Sequence, residues 1–262
     1  MKYDFDKAIA VVKRAAKEEL LPRFAQVQRE IKRDGSFLTE ADIKTQQRIA
    51  NELKQAFPDI AFLGEEMPAE EQQRVLQSGS AVWCLDPVDG TSNFAAGIPY
   101  YAVSLALIEQ GEAKFGVVYD PNRDECFTAY QGQGAYLNGQ RLTVNTVDLP
   151  LSKCTALVDL KRLSKPLATK LATQAIYGSQ RSFGSVALDW CWMAASRCHV
   201  YLHGKQNIWD YIAGNLIFTE SGGVSSTLEG DAVFTHELIP RSAVGALDET
   251  LYKAWFSAIT DI

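Results

Sequence analysis

Histidine and cysteine are both scarce in this chain, with three and five residues, and neither is grouped. Cys84, Cys126, Cys154, Cys191 and Cys198 form an odd set without a Cys-x-x-Cys spacing. That excludes a disulfide framework and a thiolate zinc site as the organising feature. It fits small buried thiols in a reducing cytosol, so a cytoplasmic protein is expected. A nucleophilic thiol is disfavoured, since no cysteine lies in a loop beside a histidine. Positive charge is short as well: 26 Lys and Arg against 32 Asp and Glu leave a net charge of −6. No basic stripe is offered to nucleic acid or to an anionic membrane, and neither is expected as a partner. No apolar run reaches membrane-spanning length, and the opening MKYDFDKAIA places acids where a signal peptide carries its apolar core. Repeats, low-complexity tracts and linker-like segments are missing too.

What remains is an ordinary globular composition, 47% hydrophobic and 22% charged over 262 residues. This length supports one large α/β domain or two intimate halves with ample core. Apolar periodicity predicts a helix over 4–28, through Phe5, Ile9, Val12, Ala16 and Leu20, with Asp34-Gly35 breaking the pattern. Thr39-Glu-Ala-Asp42 opens a second helix with capping-box spacing, and Pro58 ends it. A short strand over 60–63, a polar helix over 68–77 and a strand over 81–85 follow. Strand-like runs over 101–109, 113–119 and 125–130, with a hairpin signal at Leu137-Asn-Gly139, read as an antiparallel meander. Beyond residue 150, strands (155–159, 199–203, 223–228, 243–247) alternate with helices (166–175, 185–197, 210–221, 248–260). The expected class is α/β with layered sheets and helices. Its N-terminal half, 1–150, and C-terminal half, 151–262, would form one compact catalytic unit.

The chemistry concentrates in Trp83-Cys-Leu-Asp86-Pro-Val-Asp89-Gly90-Thr91-Ser-Asn-Phe94. An apolar strand runs into two carboxylates three residues apart, with Pro87 fixing φ between them and a Gly-Thr pair at a helix start. Such a corner can aim both carboxylates at one hard cation while the amides of Gly90 and Thr91 face a phosphate oxygen. A plain strand-ending turn would use the same residue types. Three further acids share its topology. Asp42 lies in the first turn of a helix, Glu65 follows a buried strand, and Asp210 stands at a helix start. Ligands of open α/β sheets bind at such places, so these acids can converge. Singly, each reads as a cap or a solvated loop acid. Together they would repel unless a cation joined them, and oxygen-only ligands favour Mg²⁺ or Mn²⁺ over Zn²⁺. Paired divalent ions suit in-line displacement at phosphorus.

Gly64-Glu65-Glu66, the Trp83–Phe94 segment, Trp209-Asp210 with Ala213-Gly214, and Thr219-Glu220-x-Gly222-Gly223 resemble the inositol monophosphatase family in motif, order and spacing. The likeness runs from the first helix to the last strand. It implies an αβαβα sandwich, usually as a homodimer, with two to three Mg²⁺ ions and sensitivity to lithium. It implies that Glu65, Asp86 and the Val88 carbonyl hold one ion, that Asp86, Asp89 and Asp210 hold a second, and that a looser third leans on Glu65. Thr91 and Asp42 would orient and deprotonate the attacking water, the Gly90 and Thr91 amides would bind phosphate, and Gly184 and Ser185 would line the substrate side. Ser185 reads equally as a helix cap.

The implied activity is hydrolysis of a small polyol, sugar or amino-alcohol phosphate, a small phosphomonoester like inositol 1-phosphate. The chain departs from the family where specificity is usually written. Seven residues before Asp210, where inositol-cleaving members often carry a glutamate, stands His203. A histidine can donate or accept, so it is expected to read different substrate groups, unless it is only a strand-end surface residue. Three alternatives compete. A 3′-phosphonucleotide phosphatase would need extra basic residues, for which Lys205 is the evident candidate. A haloacid-dehalogenase-type phosphatase would place its two acids two residues apart, not three. A catalytically silent metal-stabilised regulatory or binding protein would be expected to lack Thr91 or Asp42, and both are present.

Overall fold

The computed structural model describes residues 2–28, 30–31, 37–146 and 148–260. Helix α1 (Phe5–Ala15) buries Phe5, Ala8, Val11, Val12 and Ala15 on one face. The helical path continues as a π turn (Ala16–Leu20) and a 3₁₀ turn (Leu21–Arg23). The helix expected over 4–28 is therefore α-helical only in its first part. Pro22 has no N–H to continue the i→i−4 ladder. Strands β1 (Glu30–Ile31) and β2 (Phe37–Leu38) pair antiparallel, while the Asp34-Gly35 break lies outside the described residues. Helix α2 spans Glu40–Ala56.

The first half supplies a seven-stranded sheet, in chain order β3 (Ala61–Gly64), β4 (Val82–Asp89), β5 (Ala102–Glu109), β6 (Glu112–Asp120), β7 (Glu125–Tyr130), β8 (Gly134–Leu137) and β9 (Gln140–Leu142). β3 and β4 run parallel, and the rest form the expected antiparallel meander. Asn138-Gly139 makes the two-residue turn, with Leu137 opposite Gln140. Helices α3 (Ala69–Leu76) and α4 (Thr91–Ala96) flank β4 in sequence.

The second half supplies a five-stranded mixed sheet in the order β11 (Ser179–Arg181), β10 (Thr155–Asp159), β12 (Val200–Gln206), β14 (Arg241–Ala246), β13 (Val224–Ser226). Its helices are α5 (Lys165–Thr173), α6 (Val186–Ala194), α7 (Ile208–Glu220) and α8 (Glu249–Thr260). Short β11 was not expected, and it carries no apolar alternation to reveal it. Helix α6 ends before the expected residue 197, because Ser196 takes a left-handed φ of 56°. The Ser196 and Arg197 amides then close back onto the Met193 and Trp192 carbonyls.

Strand alternation sorts the core into layers. Trp83, Leu85, Val103, Leu105, Phe115 and Val117 face α1 and α2. Cys84, Ala106, Ile108 and Val118 face the other way, onto α6 and α7. The opposite side of that helix pair takes Leu157, Tyr201 and Ala243 from the second sheet. Ala156, Val158, Leu202 and Val244 turn outward to α5 and α8. The order is α1/α2, seven strands, α6/α7, five strands, α5/α8: a layered αβαβα sandwich. The middle helices belong to one apolar cluster that joins both sheets.

Candidate active site

Strand β4 does not stop at Leu85. It runs through Asp86-Pro-Val-Asp89, and its register against β5 shifts between the pairs Asp86↔Ser104 and Asp89↔Ala102. This irregularity turns both carboxylates into the interior, where Asp86 is 3% and Asp89 6% exposed. The Val88 amide donates to Asp86 Oδ1 at 3.0 Å. Gly90 follows with φ 96°, and a Cβ there would lie 3.0 Å from the Tyr100 carbonyl oxygen. Only glycine fits that corner, and α4 starts from it at Thr91.

Two capping boxes bring the remaining acids in. Thr39 caps α2, and Asp42, three residues on, accepts from the Thr39 amide (2.8 Å) and hydroxyl (2.6 Å) through Oδ2. Asn207 caps α7 in the same way, its amide donating to Asp210 Oδ2 at 2.9 Å. Asp210 is thus the third residue of its helix rather than the cap itself. Glu65 leaves the end of β3, its amide bonded to the Leu85 carbonyl at 3.1 Å.

Asp42 and Thr91, far apart in sequence, meet: Thr91 Oγ1 lies 3.0 Å from Asp42 Oδ1 and 2.9 Å from the Val88 carbonyl. Its single proton is shared between those acceptors. Asp42 is fully buried, and burial pushes its pKa up to about 6 against the opposing Thr39 hydrogen bonds, with Glu65 adding to the rise. Burial also takes Asp89 up to about 7, opposed by donors from Ser185 Oγ and from the amides of Ala187 (2.8 Å) and Val186 (3.2 Å). Asp86 is driven well above the carboxylate range by burial, then by Glu65, Asp89 and Asp210. Asp210 is raised by burial, Glu65 and Asp89, with Arg162 opposing. Five carboxylates, Asp42, Glu65, Asp86, Asp89 and Asp210, therefore share one field in which like charges repel one another.

As the side chains stand, no group of three or more His, Cys, Asp or Glu among the described residues is arranged to hold a metal ion. The reason lies in their partners. Asp89 is turned to the N-terminus of α6, Asp210 to its own capping box, and Asp86 shares a hydrogen bond with Glu65. The donors are oxygen only, and the mutual rise in pKa is the field that a hard cation would relieve. In chemistry and proximity the residues fit a divalent ion, with rotation about their side-chain bonds as the adjustment needed.

These acids line one end of a cleft of about 740 Å³ that extends to the second sheet. Gly184 and Ser185 lie along its wall. Ser185 is 1% exposed, caps α6 and donates to Asp89, while Asn93 fastens the adjoining loop by bonding the Tyr100 (2.8 Å) and Phe183 (2.7 Å) carbonyls. His203 also lines the cleft, but it lies within β12 and is 5% exposed, not a strand-end surface residue. Both ring nitrogens are engaged within the protein: Nε2 stands 3.3 Å from Asp159 Oδ2, and Nδ1 accepts from the Lys205 amide at 3.3 Å. His199, away from the acids, accepts from the Thr155 amide at 2.8 Å.

Sequence reasoning missed Asp159, Lys161, Arg162 and Asp189, all in the cleft wall. Asp189 accepts from the Tyr100 hydroxyl at 3.0 Å, and burial raises its pKa well above the carboxylate range. None belongs to a recognisable motif. Only the parallel pairing of β10 with β12, which sets Asp159 opposite His203, brings the first of them to the site.

The chain is 35% identical over 198 residues to a Nus factor SuhB of Xylella fastidiosa, covering 74% of this chain and 70% of that protein. It is 35% identical over 222 residues to an inositol-1-monophosphatase of Rhizobium meliloti, covering 82% of each. The crystal structure of the extragenic suppressor protein SuhB from Bartonella henselae superposes with a TM-score of 0.84 at 29% identity, covering 98% of this chain and 99% of that one. The model of the inositol monophosphatase family matches residues 2–259. With a sandwich of the same kind and a match along nearly its whole length, this chain belongs to the inositol monophosphatase family and is a phosphoric monoester hydrolase.

Proposed function

We propose that the protein hydrolyses a small polyol, sugar or amino-alcohol phosphate by direct attack of water, with Mg²⁺ as cofactor and without a covalent phosphoenzyme. The hydrogen bond between Thr91, which lines the acidic cleft, and Asp42 buried behind it carries this reading. Glu65, Asp86 and the Val88 carbonyl would hold one ion, and Asp86, Asp89 and Asp210 a second. A third, looser ion at Glu65 would make the number two to three. Bound there, Mg²⁺ supplies charge neutralisation and Lewis-acid stabilisation at phosphorus. The protein's own groups do the rest. The Gly90 and Thr91 amides orient the phosphate from the corner that Gly90 permits. Water attacks phosphorus opposite the ester oxygen, its proton passing to Thr91 as Thr91 hands its own to Asp42. The P–O bond to the leaving group breaks, and the alkoxide takes a proton from solvent. A base with a pKa of about 6 is ionised at neutral pH yet still basic enough to help.

Phosphate release from β-glycerophosphate, with and without Mg²⁺, tests the activity. One-step entry of solvent ¹⁸O into phosphate is expected, and a trapped phospho-aspartate at residue 86 would sink the direct-water route. Asp86→Asn should cut kcat by several orders of magnitude in a folded protein, and near-normal turnover would refute that metal assignment. Lithium at millimolar level should inhibit. We place the enzyme in the cytoplasm as a homodimer that binds neither nucleic acid nor membrane. Sedimentation velocity checks the dimer. Among the described residues, no helix is long and apolar enough to cross a membrane.

A further inference from the structure

Besides the acids proposed to serve the scissile phosphate, the cleft is lined by three cations that this chemistry does not use. Lys161 and Arg162 lie on the 3₁₀ turn Leu160–Arg162 after β10, and Lys205 lies on β12. Their side chains are exposed, line the cleft, and make no ion pair or side-chain hydrogen bond among the described residues. In a protein of net charge −6, three cations without a close side-chain partner stand out as a local concentration of positive charge at this cleft.

The turn that carries them is held in place by half-buried Asp159 and buried His203. Asp159 Oδ1 accepts the Lys161 amide at 3.0 Å, and its Oδ2 stands 3.3 Å from His203 Nε2. His203 Nδ1 accepts the Lys205 amide at 3.3 Å. One hydrogen-bonded chain, Lys161–Asp159–His203–Lys205, thus fixes the backbone beneath two of the cations. Gly204 fixes the third: a Cβ there would fall 1.9 Å from the Arg162 carbonyl oxygen, so only glycine lets that turn close over β12. The charge of Arg162 is felt at both Asp159 and Asp210, so it lies within electrostatic reach of the reacting end.

We propose that Lys161, Arg162 and Lys205 form a subsite for a second anionic group, a phosphate or carboxylate, on the leaving-group side of the substrate. His203 is a positioning residue for that subsite rather than a reader of hydroxyls. The inference rests on the phosphomonoesterase reading and narrows its substrate to doubly anionic esters. An arginine fork and two ammonium groups supply the charge and the hydrogen-bond donors that such an oxyanion takes.

The test is kcat/KM with Mg²⁺ on matched esters that differ in the second group: inositol 1-phosphate against inositol 1,4-bisphosphate, fructose 1-phosphate against fructose 1,6-bisphosphate, adenosine 3′-phosphate against adenosine 3′,5′-bisphosphate, and β-glycerophosphate against 2-phosphoglycerate. The last pair separates a carboxylate from a phosphate. At least one doubly charged member should be preferred by about tenfold or more, chiefly through KM. Arg162→Ala combined with Lys161→Ala should erase that preference, and Arg162→Lys should keep part of it. His203→Ala should raise KM for the preferred member with kcat within about twofold. Equal turnover within every pair overturns the subsite while leaving the phosphatase reading intact. So does a double variant that slows both members alike, which would mean the cations only offset the acids. Hydrolysis of neither member of any pair would remove the phosphatase reading, and this inference with it.

Discussion

At the scale of single residues, the acids of this site are held in a state that the free chain would not choose. Asp42 and Asp89 have folded-state pKa values of about 6 and about 7, above the ordinary carboxylate value of roughly 3.9. In that window the folded protein holds protons that the unfolded chain has released. Their contribution to stability is therefore full below the ordinary value and is lost as pH rises through the folded ones. Metal-free protein should lose stability from about pH 4 to about pH 7, and added Mg²⁺ should restore it. The gain in Tm on adding Mg²⁺, measured by calorimetry against an EDTA control, should be larger at about pH 8 than at about pH 5. A gain independent of pH would mean that these carboxylates are not what the ion neutralises.

At the scale of elements, one irregular strand and two helix starts build the site. β4 aims Asp86 and Asp89 through its register shift, and Gly90 ends it in a left-handed corner against Tyr100. Gly90→Ala forces a Cβ to within 3.0 Å of a backbone oxygen at φ 96°. The expected loss is about 1–3 kcal/mol, read from urea unfolding, with a fall in kcat because Thr91 moves with the corner. An unchanged unfolding midpoint would show that the corner relaxes freely. The helix starts use the same device twice, since Asp42 and Asp210 each return a hydrogen bond to their cap residue. Sequence spacing revealed the first box as Thr39-x-x-Asp42. It missed the second because the helix was expected to begin at residue 210, which made Asp210 itself the cap in place of Asn207.

At the scale of the whole molecule, α6 and α7 are shared by both sheets, so the halves on either side of residue 150 are joined by a common middle cluster beside the outer cluster that each has of its own. Trp190 illustrates this. It is fully buried, meets the Tyr201 and Phe218 rings in tilted contacts, and donates to Gln206 Oε1 at 2.9 Å, joining α6 to β12 and α7. Trp190→Ala should destabilise by about 3–5 kcal/mol and should lower one cooperative transition. Two separable transitions in differential scanning calorimetry, only one of them shifted, would show that the sheets unfold independently.

The sequence by itself determined the local pieces: the meander, the capped start of α2, and the Asp86-Pro-Val-Asp89-Gly90-Thr91 corner. Each depends on residues close in the chain whose side-chain period, φ preference or capping chemistry acts within a few positions. Even its errors were local in origin, as at Pro22, which turned the end of a long helical pattern into π and 3₁₀ turns. The tertiary structure alone decided which of those pieces meet. Asp42 reaches Thr91, Ser185 reaches Asp89, and Asp159 reaches His203 only because helices and strands distant in sequence pack side by side. The cationic turn at Lys161 and Arg162 comes to the cleft in the same way, through the parallel pairing of β10 and β12. Long-range pairing is set by how apolar faces bury against one another, and that leaves no mark on the polar residues it carries to the site.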